Sequence, residues 1–250
     1  MTAPNTKHLP DATRTGGTCL ALSGGGFRAT LFHLGAIRRL SELGVLDNLA
    51  SVTGVSGGGI MLMALAEAMV EQGGRLTDIE KLADIVHGLV TYNLRRTIFL
   101  KRLLPQNWST PFAHLVAREL EKHVGTHNLK DLPPTPRLMF VATDMVFGVD
   151  WIFSRDKAGN YQAGYASTGL EKVSLGYAAA CSGCFPPIFR PIETRVSPSA
   201  LSGGAATKPA DDKLRTEIVL SDGGVYDNMG LEPVWKEAEI LLVSDAGGLF

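Results

Sequence analysis

Twice within the first 70 residues an apolar run stops at a glycine-rich corner and gives way to a segment of helical character. Thr18 to Leu22 is the first run, ending at Ser23-Gly24-Gly25-Gly26. From Phe27 onward, Phe27, Leu31, Leu34, Ile37 and Leu40 recur at helical spacing, with Arg28, Arg38, Arg39 and Glu42 on other faces; Gly44 is placed to end the helix. Leu49 to Thr53 is the second run, ending at Gly54-Val55-Ser56-Gly57-Gly58-Gly59. The stretch Ile60 to Val70 is almost wholly apolar, as expected of a buried helix. This order of elements implies parallel strands joined by a right-handed crossover, which brings both glycine corners to the carboxyl edge of one sheet. Ligand sites of open α/β sheets lie along that edge.

Further strands are expected at Arg137 to Thr143, Trp151 to Ser154, Glu217 to Leu220 and Ile240 to Ser244. Residues 75–135 read as helical and then loop-like, closing at Pro133-Pro134-Thr135-Pro136, and Val196 to Asp212 reads as a flexible loop. No internal repeat is present. With 250 residues, 45% of them hydrophobic, the chain has enough apolar surface for one sizeable core. The expected architecture is a three-layer α/β/α sandwich around a mainly parallel sheet, spanning 17–250 behind a flexible leader at 1–16. The chain stops at Gly247-Gly248-Leu249-Phe250 directly after a strand, which leaves room for a further C-terminal region and, with it, part of a lid.

Charge narrows the possible partners. Lys and Arg number 24 against 25 Asp and Glu, so no global field draws the protein onto nucleic acid or an anionic surface, and any membrane attraction must be local. Such a local feature exists between Ile85 and Trp108. There Arg95, Arg96, Lys101 and Arg102 interleave with Ile98, Phe99, Leu100, Leu103, Leu104 and Trp108, and no acid intervenes. The segment reads equally as an interfacial membrane contact and as a packed helix with a solvated basic edge. The first residues are polar and carry two prolines where a secretory signal needs an apolar centre, and no apolar stretch approaches the ~18 residues of a bilayer span. Three cysteines make no disulfide framework. The expected location is cytoplasmic, with peripheral membrane contact through 85–108; the oligomeric state is left open.

The second glycine corner is where chemistry is expected. Gly54-Val55-Ser56-Gly57-Gly58, between a strand and an apolar helix, fits the nucleophile-elbow pattern, in which flanking glycines let the backbone turn sharply beneath an exposed hydroxyl. The following helix points its positive end at the reacting oxygen. At the first corner, Gly24, Gly25 and Gly26 offer backbone N–H groups that no side chain obstructs, as an acyl-transfer oxyanion requires. The base is harder to find. None of His8, His33, His87, His114, His123 and His127 lies late in the chain, where a hydrolase triad would place its imidazole. Acids at strand ends remain, and Ser221-Asp222-Gly223-Gly224 repeats the format of strand, polar residue and glycine turn.

Taken together, Gly24-Gly25-Gly26-Phe27-Arg28, Gly54-Val55-Ser56-Gly57-Gly58 and Asp222-Gly223-Gly224 resemble, in order, the three signatures of patatin-like phospholipases. The segment Ala178-Ala179-Ala180-Cys181-Ser182-Gly183-Cys184-Phe185-Pro186-Pro187 is similar to that family's small-residue stretch before the acid. The resemblance runs from about Cys19 to Asp245. It implies a Ser56–Asp222 dyad, an oxyanion hole from Gly24, Gly25, Gly26 and Phe27, no metal ion or other cofactor, and a lipid ester as substrate. By the same resemblance Ser56 forms an acyl-enzyme and water releases the fatty acid.

Several competing readings attach to the same residues. Gly24-x-Gly26-x-x-Ala29 also fits a dinucleotide fingerprint, but the second strand then ends in Gly54-Val55-Ser56 where an acid should hold the ribose. Arg28 is placed either to hold a phosphate headgroup or to pair with a carboxylate. His33 reads as a hydrogen-bonded structural residue, and Cys181-x-x-Cys184 as small buried residues, since zinc would need a second ligand pair. Asp245 and Asp227 are alternatives to Asp222 as base, and Asp227 with Asn228 more readily holds its own loop. Beside a phospholipase stand a generic carboxylesterase or acyltransferase using the same dyad, and a catalytically silent lipid-binding module.

Overall fold

The computed structural model describes residues 17–186, 189–206 and 212–247; the leader at 1–16, Pro187 and part of the Val196 to Asp212 segment lie outside them. Within those bounds the two strand–turn–helix units are present. Strand β1 (Thr18–Leu22) leads into helix α1 (Gly26–Glu42), and β2 (Leu49–Val55) leads into α2 (Gly57–Glu71). Both β2 and α2 extend up to Ser56, so strand and helix meet at that residue with no intervening loop. Helices α3 (Ile79–Thr91), α4 (Leu94–Arg102) and α5 (Phe112–His123) fill the middle of the chain. Then come β3 (Arg137–Asp144), β4 (Val149–Ser154), β5 (Ala158–Asn160), β6 (Gly164–Ala166), α6 (Leu175–Ser182), β7 (Ile192–Arg195), α7 (Asp212–Thr216), β8 (Glu217–Asp222) and β9 (Ile240–Ser244).

The sheet order is β6-β5-β4-β3-β2-β1-β9, and its centre, β9-β1-β2-β3, is parallel. That centre is what two successive right-handed crossovers predict. Beyond it the pairing is antiparallel: β4, β5 and β6 fold back as a meander, and β7 pairs with β8.

Strand β8 decides the position of the site. On one edge β3 pairs with β4 through Met139 to Asp144. Its other edge is shared: β2 runs parallel along Arg137 to Val141, and β8 runs antiparallel along Ala142 to Asp144. The two strands therefore approach each other along one line and stop end to end, with Val55 opposite Val141 and Asp222 opposite Ala142. Because Ser56 follows Val55 directly, the topology alone brings residues 56 and 222 together.

Most of the core lies on the helical face, where Leu20, Leu22, Val52 and Phe140 pack against α2 residues such as Met61, Leu62 and Leu65. Helix α2 is buried around nearly its whole circumference, as its composition requires. The opposite face holds a smaller cluster of Cys19, Met139, Ile152 and Val234. On that side, facing Thr143 across the β3–β4 ladder, lies Asp150, 5% exposed and with neither carboxylate oxygen hydrogen-bonded among the described residues. Burial, with added repulsion from Asp227 and Glu232, pushes its carboxyl up to about 8.

Candidate active site

Ser56 caps α2 with φ 52° and ψ −114°, the one positive-φ residue other than glycine among the described residues. A conformation of this kind costs about 1–3 kcal/mol and persists only where its surroundings enforce it. Three sets of contacts do so. The Ser56 N–H donates to the Ser182 carbonyl at 3.1 Å and to Ser182 Oγ at 2.9 Å. Ser182 Oγ, fully buried, in turn donates to the Val141 carbonyl at 2.7 Å, tying the corner to the centre of the sheet. Finally, the elbow lies backbone to backbone against the first glycine corner. A Cβ on Gly57 would fall 2.1 Å from the Gly26 carbonyl oxygen, and one on Gly58 would fall 2.2 Å from that of Leu22. Thr30 Oγ1 closes the junction by donating to the Gly57 carbonyl at 2.8 Å.

The first corner is held from the other side. The Gly24 N–H donates to the Asn228 carbonyl at 2.9 Å, so the donor expected there is already engaged. Gly25 (φ 141°) and Gly26 (φ 65°) adopt conformations that side-chain-bearing residues rarely take, and their exposed turn opens α1. Among the described residues, the N–H groups of Gly25, Gly26 and Phe27 have no hydrogen-bond acceptor, as at any uncapped helix start. Gly24 stays close to the nucleophile position: a Cβ there would lie 3.4 Å from that of Ser56.

Asp222 is 1% exposed. Its Oδ1 accepts the Gly224 N–H at 2.7 Å, its own N–H donates to the Cys184 carbonyl, and its carbonyl receives the Thr143 hydroxyl at 2.8 Å. Among the described residues Oδ2 has no hydrogen-bond partner, although the Ser56 hydroxyl near this carboxyl favours its ionised form. Burial outweighs that help and the Gly224 contact, and raises the carboxyl to about 6. An apolar pocket of about 130 Å³ opens over Ser56, walled by Phe27, Ile60, Ile98, Val116, Leu120 and Phe189.

A strained serine thus sits at a strand–helix elbow beside a glycine corner, with a dry carboxylate at the end of the strand that converges on it. The family description Patatin-like phospholipase matches residues 20–235. The chain belongs to the patatin-like phospholipase family. No curated protein matches the sequence. Among solved structures, human GIVD cytosolic phospholipase A2 is similar in fold, with a TM-score of 0.53 and 14% identity over 88% of this chain and 44% of that one. VipD from Legionella pneumophila aligns with a TM-score of 0.46 and 17% identity, over 90% of this chain and 49% of that one. This patatin-like chain thus spans less than half the length of these two proteins.

The remaining expected residues can now be placed in the patatin-like frame. Arg28 lies exposed on the first turn of α1 and has no carboxylate partner among the described residues. His33 is fully buried and structural: Nε2 donates to the Ser23 carbonyl and Nδ1 accepts from the Ser244 hydroxyl, both at 2.8 Å, joining α1 to β1 and β9. Burial lowers its pKa, against the pull of the Ser23 carbonyl and Asp245. Asp227 accepts from the Met229 and Glu232 N–H groups, and Asp245 from the Gly247 N–H, so both carboxylates fold back on their own loops. Cys181 and Cys184 are buried; burial raises both thiols, that of Cys184 to about 12 with added repulsion from Asp222. No cluster able to hold a metal occurs among the described residues.

Sequence reasoning assigned no role to Ser182. It grips the elbow, while its neighbour Cys184 grips Asp222. The one signal available beforehand was its place in a run of small residues before two prolines.

Proposed function

We propose that this chain hydrolyses carboxylic esters of phospholipids or lysophospholipids through Ser56 and Asp222. Ser56 Oγ attacks the ester carbonyl as its proton passes to Asp222, and the tetrahedral oxyanion is held by the free N–H groups of Gly25, Gly26 and Phe27. Collapse expels the alcohol, which takes the proton from Asp222, and leaves Ser56 acylated. Water, deprotonated by the same carboxylate, then attacks the acyl-enzyme and releases the fatty acid, restoring Ser56. A free aspartate, with a pKa near ~3.9, is a poor base for an alcohol. Burial that lifts Asp222 to about 6 makes it a stronger one, and the same dry surroundings strengthen each oxyanion contact.

One observation carries this reading: β2 and β8 converge end to end on β3, setting a strained, pocket-facing serine beside a buried carboxylate whose Oδ2 is left without a conventional partner. The apolar walls of the pocket suit an acyl chain. Arg28 at the same corner, with no carboxylate partner among the described residues, suits a phosphate headgroup.

A fluorophosphonate probe tests the assignment: wild type should take up one adduct, placed on Ser56 by peptide mass spectrometry, and Ser56→Ala none. Labelling elsewhere, or none on a folded wild type, overturns it. Comparing p-nitrophenyl esters with phospholipid vesicles separates a phospholipase from a generic carboxylesterase. A folded wild type that binds lipid but cleaves neither is the silent binding module.

A further inference from the structure

Five large apolar side chains stand in solvent along one short segment. Phe99 and Leu100 on α4, with Leu103, Leu104 and Trp108 just after it, are between 44% and 72% exposed. Isolated exposed apolar residues are ordinary, but five within ten positions form a patch of the kind that marks an interaction surface. The same helix has a second role. Leu94 and Ile98, on its inner side, are buried and wall the Ser56 pocket.

The charge around this patch has one prevailing sign. Two clefts flank it. The first, about 560 Å³, is lined by Arg102 and Arg190 with Glu193 as its single acid. The second, about 250 Å³, is lined by Lys101, Arg118 and Lys122 with Glu119. Glu119 is already engaged: Lys101, Lys122 and the Tyr92 hydroxyl all bind its carboxylate. Basic side chains therefore outnumber acids on both flanks, around an apolar, aromatic-bearing centre. A line of rings also runs inward. Phe99 meets Phe112 edge-on at 6.1 Å, Phe112 meets Phe189 at 5.0 Å, and Phe189 walls the Ser56 pocket.

We propose that residues 94–108 form a docking face for an anionic lipid bilayer. The exposed side chains enter the interface, the flanking cations meet the headgroups, and the ring line leads from the bilayer to the pocket. An apolar centre rimmed by cations fits an anionic membrane better than a second copy of this chain, which would set like charges opposite one another. Docking itself needs no catalysis; only the delivery of acyl chains to Ser56 rests on the hydrolase reading.

The test uses the full chain carrying Ser56→Ala, with vesicles of phosphatidylcholine alone or mixed with phosphatidylglycerol. Sedimentation should show binding to the mixed vesicles that weakens with salt. Adding Leu100→Ser and Leu103→Ser, both at exposed positions, should lower that binding by about tenfold or more, whereas Leu43→Ser, exposed elsewhere, should not. In a Trp235→Phe background, Trp108 emission should shift to the blue on binding, because Trp151 is already buried. On an active background, the double change should spare hydrolysis of a soluble short-chain ester and reduce that of vesicle lipid. Unaltered vesicle binding by the double variant overturns the proposal, as does a double variant whose sole effect is to turn a dimer into a monomer. Loss of both hydrolytic activities with binding intact in wild type would sink the hydrolase reading and leave the docking face standing.

Discussion

Replacing Asp222 by Asn should leave a protein that is inactive yet more stable at neutral pH. The folded chain holds this carboxyl at about 6, against an ordinary value of 3.8. A raised acid pKa means that the native state keeps its proton over a range where the unfolded state has lost it, so stability declines as pH rises from about 4 to about 6 and is level above. The difference of about two units, at 1.36 kcal/mol each, amounts to roughly 3 kcal/mol of strain carried by the ionised native state. Asn removes that charge, keeps an acceptor for the Gly224 N–H, and replaces the partnerless buried Oδ2 by an uncharged amide nitrogen. For a domain of this size the gain corresponds to a Tm roughly 5–10 °C higher at pH 8. Near pH 4 it should shrink to under about 1 kcal/mol, because native Asp222 is then protonated and the unfolded side chain is near the midpoint of its own titration. Scanning calorimetry of both proteins between about pH 4 and pH 8 reads the effect directly. A folded Asn variant with a Tm equal to or below wild type at pH 8 would refute the account of Asp222 as a carboxylate held dry at a cost, and a gain independent of pH would assign it to something other than charge. Esterase activity should meanwhile fall on the order of 10⁴-fold, and wild-type activity should rise with pH through an apparent pKa of about 6.

Three further outcomes follow from the geometry. Ser182→Ala removes the hydroxyl shared by the Ser56 N–H and the Val141 carbonyl; urea unfolding should show a loss of about 1–3 kcal/mol, with slower fluorophosphonate labelling of Ser56, and unchanged labelling would show that the clamp is idle. Gly57→Ala sets a Cβ against the Gly26 carbonyl oxygen; circular dichroism and probe labelling should reveal a misfolded or unreactive protein, and a fully active one would contradict the packing of the two corners. Asp150→Asn relieves a carboxyl pushed up to about 8 by burial; its stabilising effect, small near pH 4 where the native group is protonated and the unfolded one is near the midpoint of its titration, should grow as pH rises towards 8 and persist above, as denaturation across that range would show.

The parts of this fold governed by local rules were legible in the chain. Apolar runs ending in glycines gave β1, β2 and the helices between them, because a buried strand and a sharp corner each restrict the residues they accept. What could not be read was any pairing set by distant partners. The antiparallel course of β8 is invisible in Glu217 to Asp222, yet it alone explains why residue 222 arrives at residue 56. The short strands β5, β6 and β7 carry too few residues for a periodic signal. Gly24 was expected to offer its N–H to an oxyanion, but that N–H is spent on Asn228, a residue 204 positions away whose approach no local pattern announces. Ser182 escaped for the same reason: its value lies in what it touches across the sheet.

The tetrapeptide Cys181-Ser182-Gly183-Cys184 has one consequence for adaptability. It grasps Ser56 by the main chain at one end and Asp222 at the other, and it continues the stretch whose Ala179, Ala180 and Gly183 wall the pocket. One short segment therefore borders the pocket and holds the main chains of both residues, so a substitution in it is felt by nucleophile and carboxylate together.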